Sequence, residues 1–248
     1  MLRGSARPRG GPMEVVRTRP RPHTWVLDFY RSAVGKKAVM AVTGIVILGF
    51  VLVHMLGNLK IYTGAEHLNA YGAYLRTIGE PILPHTGFLW IMRSVLVLSF
   101  VLHIHAATSL TLMNRRARPI KYQGGRHYVA ANYAARTMRW SGVIIGLFVV
   151  FHLMDLTWGN ANPEFHHGKP YQNLVASFQR TPVAIVYIVA NLLLGIHIFH
   201  GAWSLFQSLG WNNPRFNRWR KYFAYGLAAV IVIGNVSFPL AVMTGIVD

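Results

Sequence analysis

The chain has 248 residues, 53% of them hydrophobic and 13% charged, with no cysteine and a formal charge of +18. Lacking cysteine, it forms no disulfide and offers no thiolate to zinc or an iron–sulfur cluster, so any such cluster sits on a partner. A very basic soluble domain is excluded because Lys and Arg are cleared from long apolar runs, which is the pattern of a polytopic membrane protein.

Residues 1–30 are rich in Arg, Pro and Gly and lack the apolar stretch of roughly 7–15 residues that a secretory signal needs. They read as a basic, flexible or peripheral tail, with residues 31–248 as one membrane domain without an internal repeat. Met13 follows a low-complexity stretch and is an alternative translation start to Met1. A nucleic-acid role for the tail is not expected, since few aromatic side chains are interleaved with its arginines as stacking platforms.

Crossing a bilayer takes about 20 apolar residues, and five runs reach that length. The first, 37–59, carries His54 close to its far end, and Ser32, Lys36 and Lys37 stand at its near end. The connection 60–87 is long and contains Tyr, Asn and Pro, so short interfacial helices are expected within it. The second run, 88–112, carries His103 and His105 and is followed by a basic segment with Arg115, Arg116, Arg118, Lys121, Arg126, Arg136 and Arg139. The third, 140–159, is short and carries His152 and Asp155; the connection 160–181 again has room for a short helix. The fourth, 182–209, carries His197 and His200, and Arg215, Arg218, Arg220 and Lys221 follow it. The fifth, 222–246, has no histidine. The expected fold is therefore all-α, with five transmembrane helices, four of which can form a ligand-binding bundle. Positive charge concentrates in the tail and in the 2–3 and 4–5 connections, which predicts a cytoplasmic N-terminus and a C-terminus outside.

Histidine inside a membrane span is costly and is functional by default. At 1.5 Å per residue, His54 lies about 6–9 Å, and His152 about 11 Å, from the outer ends of their spans. His103 and His197 each lie about 23 Å below theirs. Two imidazoles at each of two depths, on helices able to face one another, suit two b-type haems with paired histidine ligands. A bare zinc or copper ion would instead want its ligands at one depth, with Cys, Asp or Glu nearby. Small residues near the histidines leave room for a porphyrin: Gly44, Gly49, Ala106, Ala107, Gly142, Gly146, Gly195 and Gly201. Depth alone does not choose between His103 and His105, or between His197 and His200. The remaining member of each doublet is available for a propionate, a quinone or packing.

Several segments together resemble a known family, the single-chain, five-helix, two-haem cytochrome b anchor of succinate dehydrogenases and fumarate reductases. They are SAVGKKAVMAVTGIVILGFVLVHMLGNL, NRRARPIKY, TMRWSGVIIGLFVVFHLMDLT, LLLGIHIFHGAWSLFQSLGW and FPLAVMTGIV. The resemblance spans nearly all of residues 28–246. It implies that His54 and His152 hold the outer, distal haem, and that His103 and His197 hold the inner, proximal one. A mild preference for His103 and His197 over their doublet partners comes from the small residue four positions on, Ala107 and Gly201.

The resemblance also implies a flavoprotein subunit and an iron–sulfur subunit on the cytoplasmic face of a bacterial inner membrane. Electrons from succinate would then pass through this chain to menaquinone or ubiquinone, with the succinate-oxidising site, and hence catalysis, on another chain. Asp155 is the first candidate for proton or quinone chemistry at the outer level, and Ser32, Lys36 and Lys37 are candidates at the inner one. A homo-oligomer of the complex is compatible with this reading and not required by it. Three other readings stand beside it: a haem-free quinone-binding anchor of the same complex, a cytochrome b of another respiratory oxidoreductase, and a transporter with intramembrane histidines.

Overall fold

The computed structural model describes residues 24–117, 133–211 and 213–248, with backbone alone at 133–136. Most of the expected tail, Met13, and the basic residues Arg118, Lys121 and Arg126 lie outside the described residues, as does the side chain of Arg136. Among the described residues all regular structure is helical. The helices are α1 Trp25–Arg31, α2 Ala33–Asn58, α3 Ala65–Thr77, α4 Gly87–Arg116, α5 Tyr133–Leu156, α6 Pro170–Gln179, α7 Thr181–Ser208 and α8 Asn217–Met243.

Five of these, α2, α4, α5, α7 and α8, are long and apolar enough to cross a membrane. Large apolar side chains such as Val53, Val97, Leu98, Val143, Leu147 and Ile233 point outward from them. A water-facing surface would not carry such a belt, whereas lipid tails accept it. The helices begin and end on local chemistry. Pro170 and Pro182 open α6 and α7, where a missing N–H costs nothing. Arg115 and Arg116 close α4, where cations favour the carboxyl end of the helix dipole. Gly210, at φ 80°, lets the chain reverse after α7, with Trp211 N–H bonding back to the Phe206 carbonyl at 2.8 Å.

The spans pack as α4 along α2, α5 along α7 and α8 along α7, with α8 also touching α2. Small residues bring the backbones together. A Cβ on Gly195 would stand 2.3 Å from Val232, and one on Gly234 would stand 2.4 Å from the Met55 sulfur. The best-buried core, including Met55, Ile61, Leu174, Phe178, Tyr187 and Phe238, lies toward one end of the bundle. Helices α3 and α6 cap that end and are joined by Asn69 to Gln172 at 3.0 Å. The chain terminus returns there too, since the Tyr171 hydroxyl donates to the Asp248 carbonyl at 2.9 Å.

The expected short helices in 60–87 and 160–181 are thus α3 and α6. Residues 25–30, read as the end of a flexible or peripheral tail, form together with Arg31 the helix α1, which turns into α2 at Ser32 without a linker and packs on it. Seven residues are too few for hydropathy to reveal, and the contact with α2 stabilises them.

Candidate functional site: histidines at two depths

Geometry orders the histidines in three pairs of residues, each ten apart and so separated by about 15 Å along a helix. On α2 the pair is Gly44 and His54, on α5 it is Gly142 and His152, and on α7 it is His197 and Tyr187. Across helices these positions meet at two levels. A Cβ on Gly44 would touch His103 Cε1 at 3.4 Å, and one on Gly142 would touch His197 Cε1 at 3.6 Å. At the other level the rings of His54 and His152 meet edge-on, with centroids 6.0 Å apart and planes at 90°.

The hydrogen bonds fix three of these rings. Thr43 Oγ1 donates to the Val39 carbonyl at 2.7 Å and so accepts from His103 Nδ1 at 3.2 Å. Ser141 Oγ donates to the Met138 carbonyl at 3.1 Å and accepts from His197 Nδ1 at 3.2 Å. The Tyr187 hydroxyl donates to Asp155 Oδ2 at 2.9 Å and accepts from His152 Nδ1 at 3.3 Å. In each case the hydroxyl proton is already committed, so the imidazole carries its proton on Nδ1 and presents the Nε2 lone pair. That is how a protein prepares a histidine to bind metal. His54 has a different support, stacking on Phe50 at 5.2 Å.

The doublet partners point elsewhere. His105 stacks on Tyr30 of α1 at 5.7 Å and its Nδ1 bonds the Tyr30 hydroxyl. His200 sets its ring edge against Trp203 at 6.4 Å, and its buried Nδ1 has no hydrogen-bond partner.

Asp155 is fully buried, with both oxygens engaged: Tyr187 takes Oδ2, and Arg180 Nη2 donates to Oδ1 at 2.5 Å. Arg180 Nη1 also bonds the Ala161 carbonyl at 2.7 Å. At the opposite end, Ser32 caps α2 by accepting from Gly35 N–H at 2.9 Å, and its own hydroxyl donates to the Phe29 carbonyl at 2.6 Å. The Lys36 ammonium lies 4.3 Å from the centre of the Tyr30 ring, and Lys37 is exposed.

The spacing of the outer pair fits haem, and the chemistry of the inner pair, two imidazoles each bonded through Nδ1, is compatible with it. An iron with imidazole bonds of about 2 Å on each side would hold two ring centres about 6 Å apart, as His54 and His152 stand. Gly49 and Gly146, between the levels, and Gly201 face space that holds no atom within 4 Å of an added Cβ. Among the described residues no group of three or more His, Cys, Asp or Glu side chains converges as a bare metal ion would require.

Reading the sequence missed Thr43, Ser141, Tyr187, Arg180 and Tyr30. A signal for the first two was present: a hydroxyl residue followed by Gly, with the histidine of the other level ten residues beyond that Gly, occurs in both the first and third spans. Nothing comparable marks Tyr187 or Arg180.

Five apolar spans, with imidazoles paired inside four of them, define a polytopic, all-helical membrane protein. The profile of the succinate dehydrogenase/fumarate reductase transmembrane subunit matches residues 112–235, half of the chain. The chain belongs to that family, and is a multi-pass membrane subunit of a succinate dehydrogenase/fumarate reductase complex. The match includes His152 and His197; His54 and His103 precede it. No curated protein and no solved structure matches the chain.

Proposed function

We propose that this chain is the cytochrome b anchor of a succinate:quinone oxidoreductase in a bacterial cytoplasmic membrane, with two b haems. His54 and His152 would hold the distal haem and His103 and His197 the proximal one. The observation that carries this reading is the set of imidazoles at two depths, three of them tethered through Nδ1 so that Nε2 is free to bind. Haem b, when bound to two histidines, supplies reversible one-electron chemistry with no open position for oxygen.

The chain's own contribution is positional. Four helices hold the imidazoles about 15 Å apart along the bundle axis, Thr43, Ser141 and Tyr187 set the ring tautomers, and the glycines keep Cβ atoms out of the space between helices. Its acceptor would be menaquinone or ubiquinone. Exposed Arg215, Arg218 and Lys221 at the end opposite the α3–α6 cap suit docking of the iron–sulfur and flavoprotein subunits on the cytoplasmic side. Unbroken spans, and the pairing of Asp155, the one acid within the spans among the described residues, with Arg180, weigh against a transporter, which relies on interrupted helices and free intramembrane acids.

The test is a dithionite-reduced minus oxidised spectrum of the purified complex, with pyridine haemochrome quantification per chain. Two b haems are expected, and single His→Ala changes at 54, 103, 152 or 197 should each remove one. His105→Ala and His200→Ala should retain both. A complex without a b-type spectrum would leave a haem-free quinone anchor.

A further inference from the structure

His152 is held in a different way from the two imidazoles of the other level. Thr43 and Ser141 donate their hydroxyl hydrogen bonds to neutral backbone carbonyls of their own helices. Tyr187 donates its hydrogen bond to a carboxylate, Asp155, that has no exposure to solvent and whose other oxygen is gripped by Arg180 at 2.5 Å. A buried carboxylate of this kind is costly unless paired and hydrogen-bonded, and both requirements are met here on three separate elements: α5, the α6–α7 corner and α7.

Resting on the haem reading above, we propose that Tyr187, Asp155 and Arg180 act as positioning residues for the distal ligand, fixing the His152 ring and raising the electron donation of its Nε2. The physical route is short. The carboxylate polarises the tyrosine O–H, and the more electron-rich phenol oxygen accepts more strongly from His152 Nδ1–H. An imidazole whose N–H is drawn away in this manner is a more basic ligand and favours ferric over ferrous iron. Arg180 supplies the counter-charge and ties the unit to the cap through the Ala161 carbonyl. Asp155 thereby acts on the ligand through Tyr187, with a hydrogen bond at each of its oxygens.

Redox titration of the purified, haem-loaded complex tests this directly. Tyr187→Phe keeps the ring that packs between Phe148, Phe151 and Phe178 and removes only the hydroxyl. The midpoint potential of one haem should rise and its low-spin resonance signal should move, while the other haem titrates as in the parent. The double change Asp155→Asn with Arg180→Gln leaves Tyr187 an acceptor but removes the charges, and should shift the same haem in the same direction by less. Ser141→Ala, at the other level, should move the other haem. Parent-like potentials and signals in Tyr187→Phe, or equal shifts of both haems, would overturn the proposal. If Tyr187→Phe does not assemble, the double variant is decisive on the same criterion. A parent complex devoid of b haem is a separate result, which overturns the proposed function itself and this inference with it.

Discussion

At the scale of single residues, the structure divides the histidines by what holds their second nitrogen. Thr43 is the sharpest case, because its hydroxyl sits one residue before the glycine on which His103 rests. If His103 binds haem as proposed, Thr43→Val, which keeps the shape of the side chain and removes the acceptor, should weaken haem affinity by about 10–100-fold. Thr43→Ser should restore it. Haem per chain after detergent washing measures both; equal retention in the valine variant and the parent would show that the ring is oriented by packing alone. The Arg180–Asp155 pair makes a second prediction. Arg180→Ala leaves a carboxylate with no exposure facing only Tyr187, at a cost of about 3 kcal/mol. The apparent unfolding midpoint should drop further for Arg180→Ala than for the double Asp155→Asn, Arg180→Gln change, which leaves no stranded charge.

At the scale of elements, α7 and α8 approach through glycine. Val232 meets Gly195 with a Cγ methyl that its β-branched side chain cannot swing away, whereas Gly234 is met by the flexible end of Met55. Gly195→Ala should therefore cost about 1–3 kcal/mol through overpacking, and Gly234→Ala distinctly less. Thermal unfolding of the two variants in detergent ranks them, and the reverse order would contradict the packing described. The spans themselves were legible because length and hydropathy are local properties. Residues 33–63, 87–116, 137–156, 181–208 and 214–243 form the apolar helical stretches, close to the runs read from sequence. Helix α1 was not legible: seven residues carry too little periodicity, and it is the contact with α2 and the Ser32 hydroxyl on the Phe29 carbonyl that define it.

At the scale of the whole molecule, odd crossing number and charge asymmetry combine. Exposed cations Arg215, Arg218 and Lys221 gather at one end, while α3, α6 and the chain terminus gather at the other. The positive-inside rule then predicts that the α3–α6 cap lies outside. The cysteine-free chain is a convenient background for checking this. A membrane-impermeant thiol reagent should label Lys169→Cys, in front of α6, in intact cells, and should label Arg215→Cys only after permeabilisation. The opposite pattern would invert the topology and with it the side on which partner subunits dock.

Taken alone, the amino-acid sequence determined that the chain crosses a membrane on five helices, that histidines recur in four of them, and where along each helix they fall. These are one-dimensional quantities, set by the free-energy cost of placing polar groups in lipid and by a rise of about 1.5 Å per residue. Tertiary structure alone decided which way each ring turns and what it meets. His103 lies against Thr43 and Gly44, His105 against Tyr30, and His152 meets a tyrosine 35 positions away. It also decided the partners of Asp155, whose two oxygens are held by Tyr187 and Arg180. The rotation of a helix about its own axis follows from packing against helices distant in sequence, and no local pattern of residues encodes it.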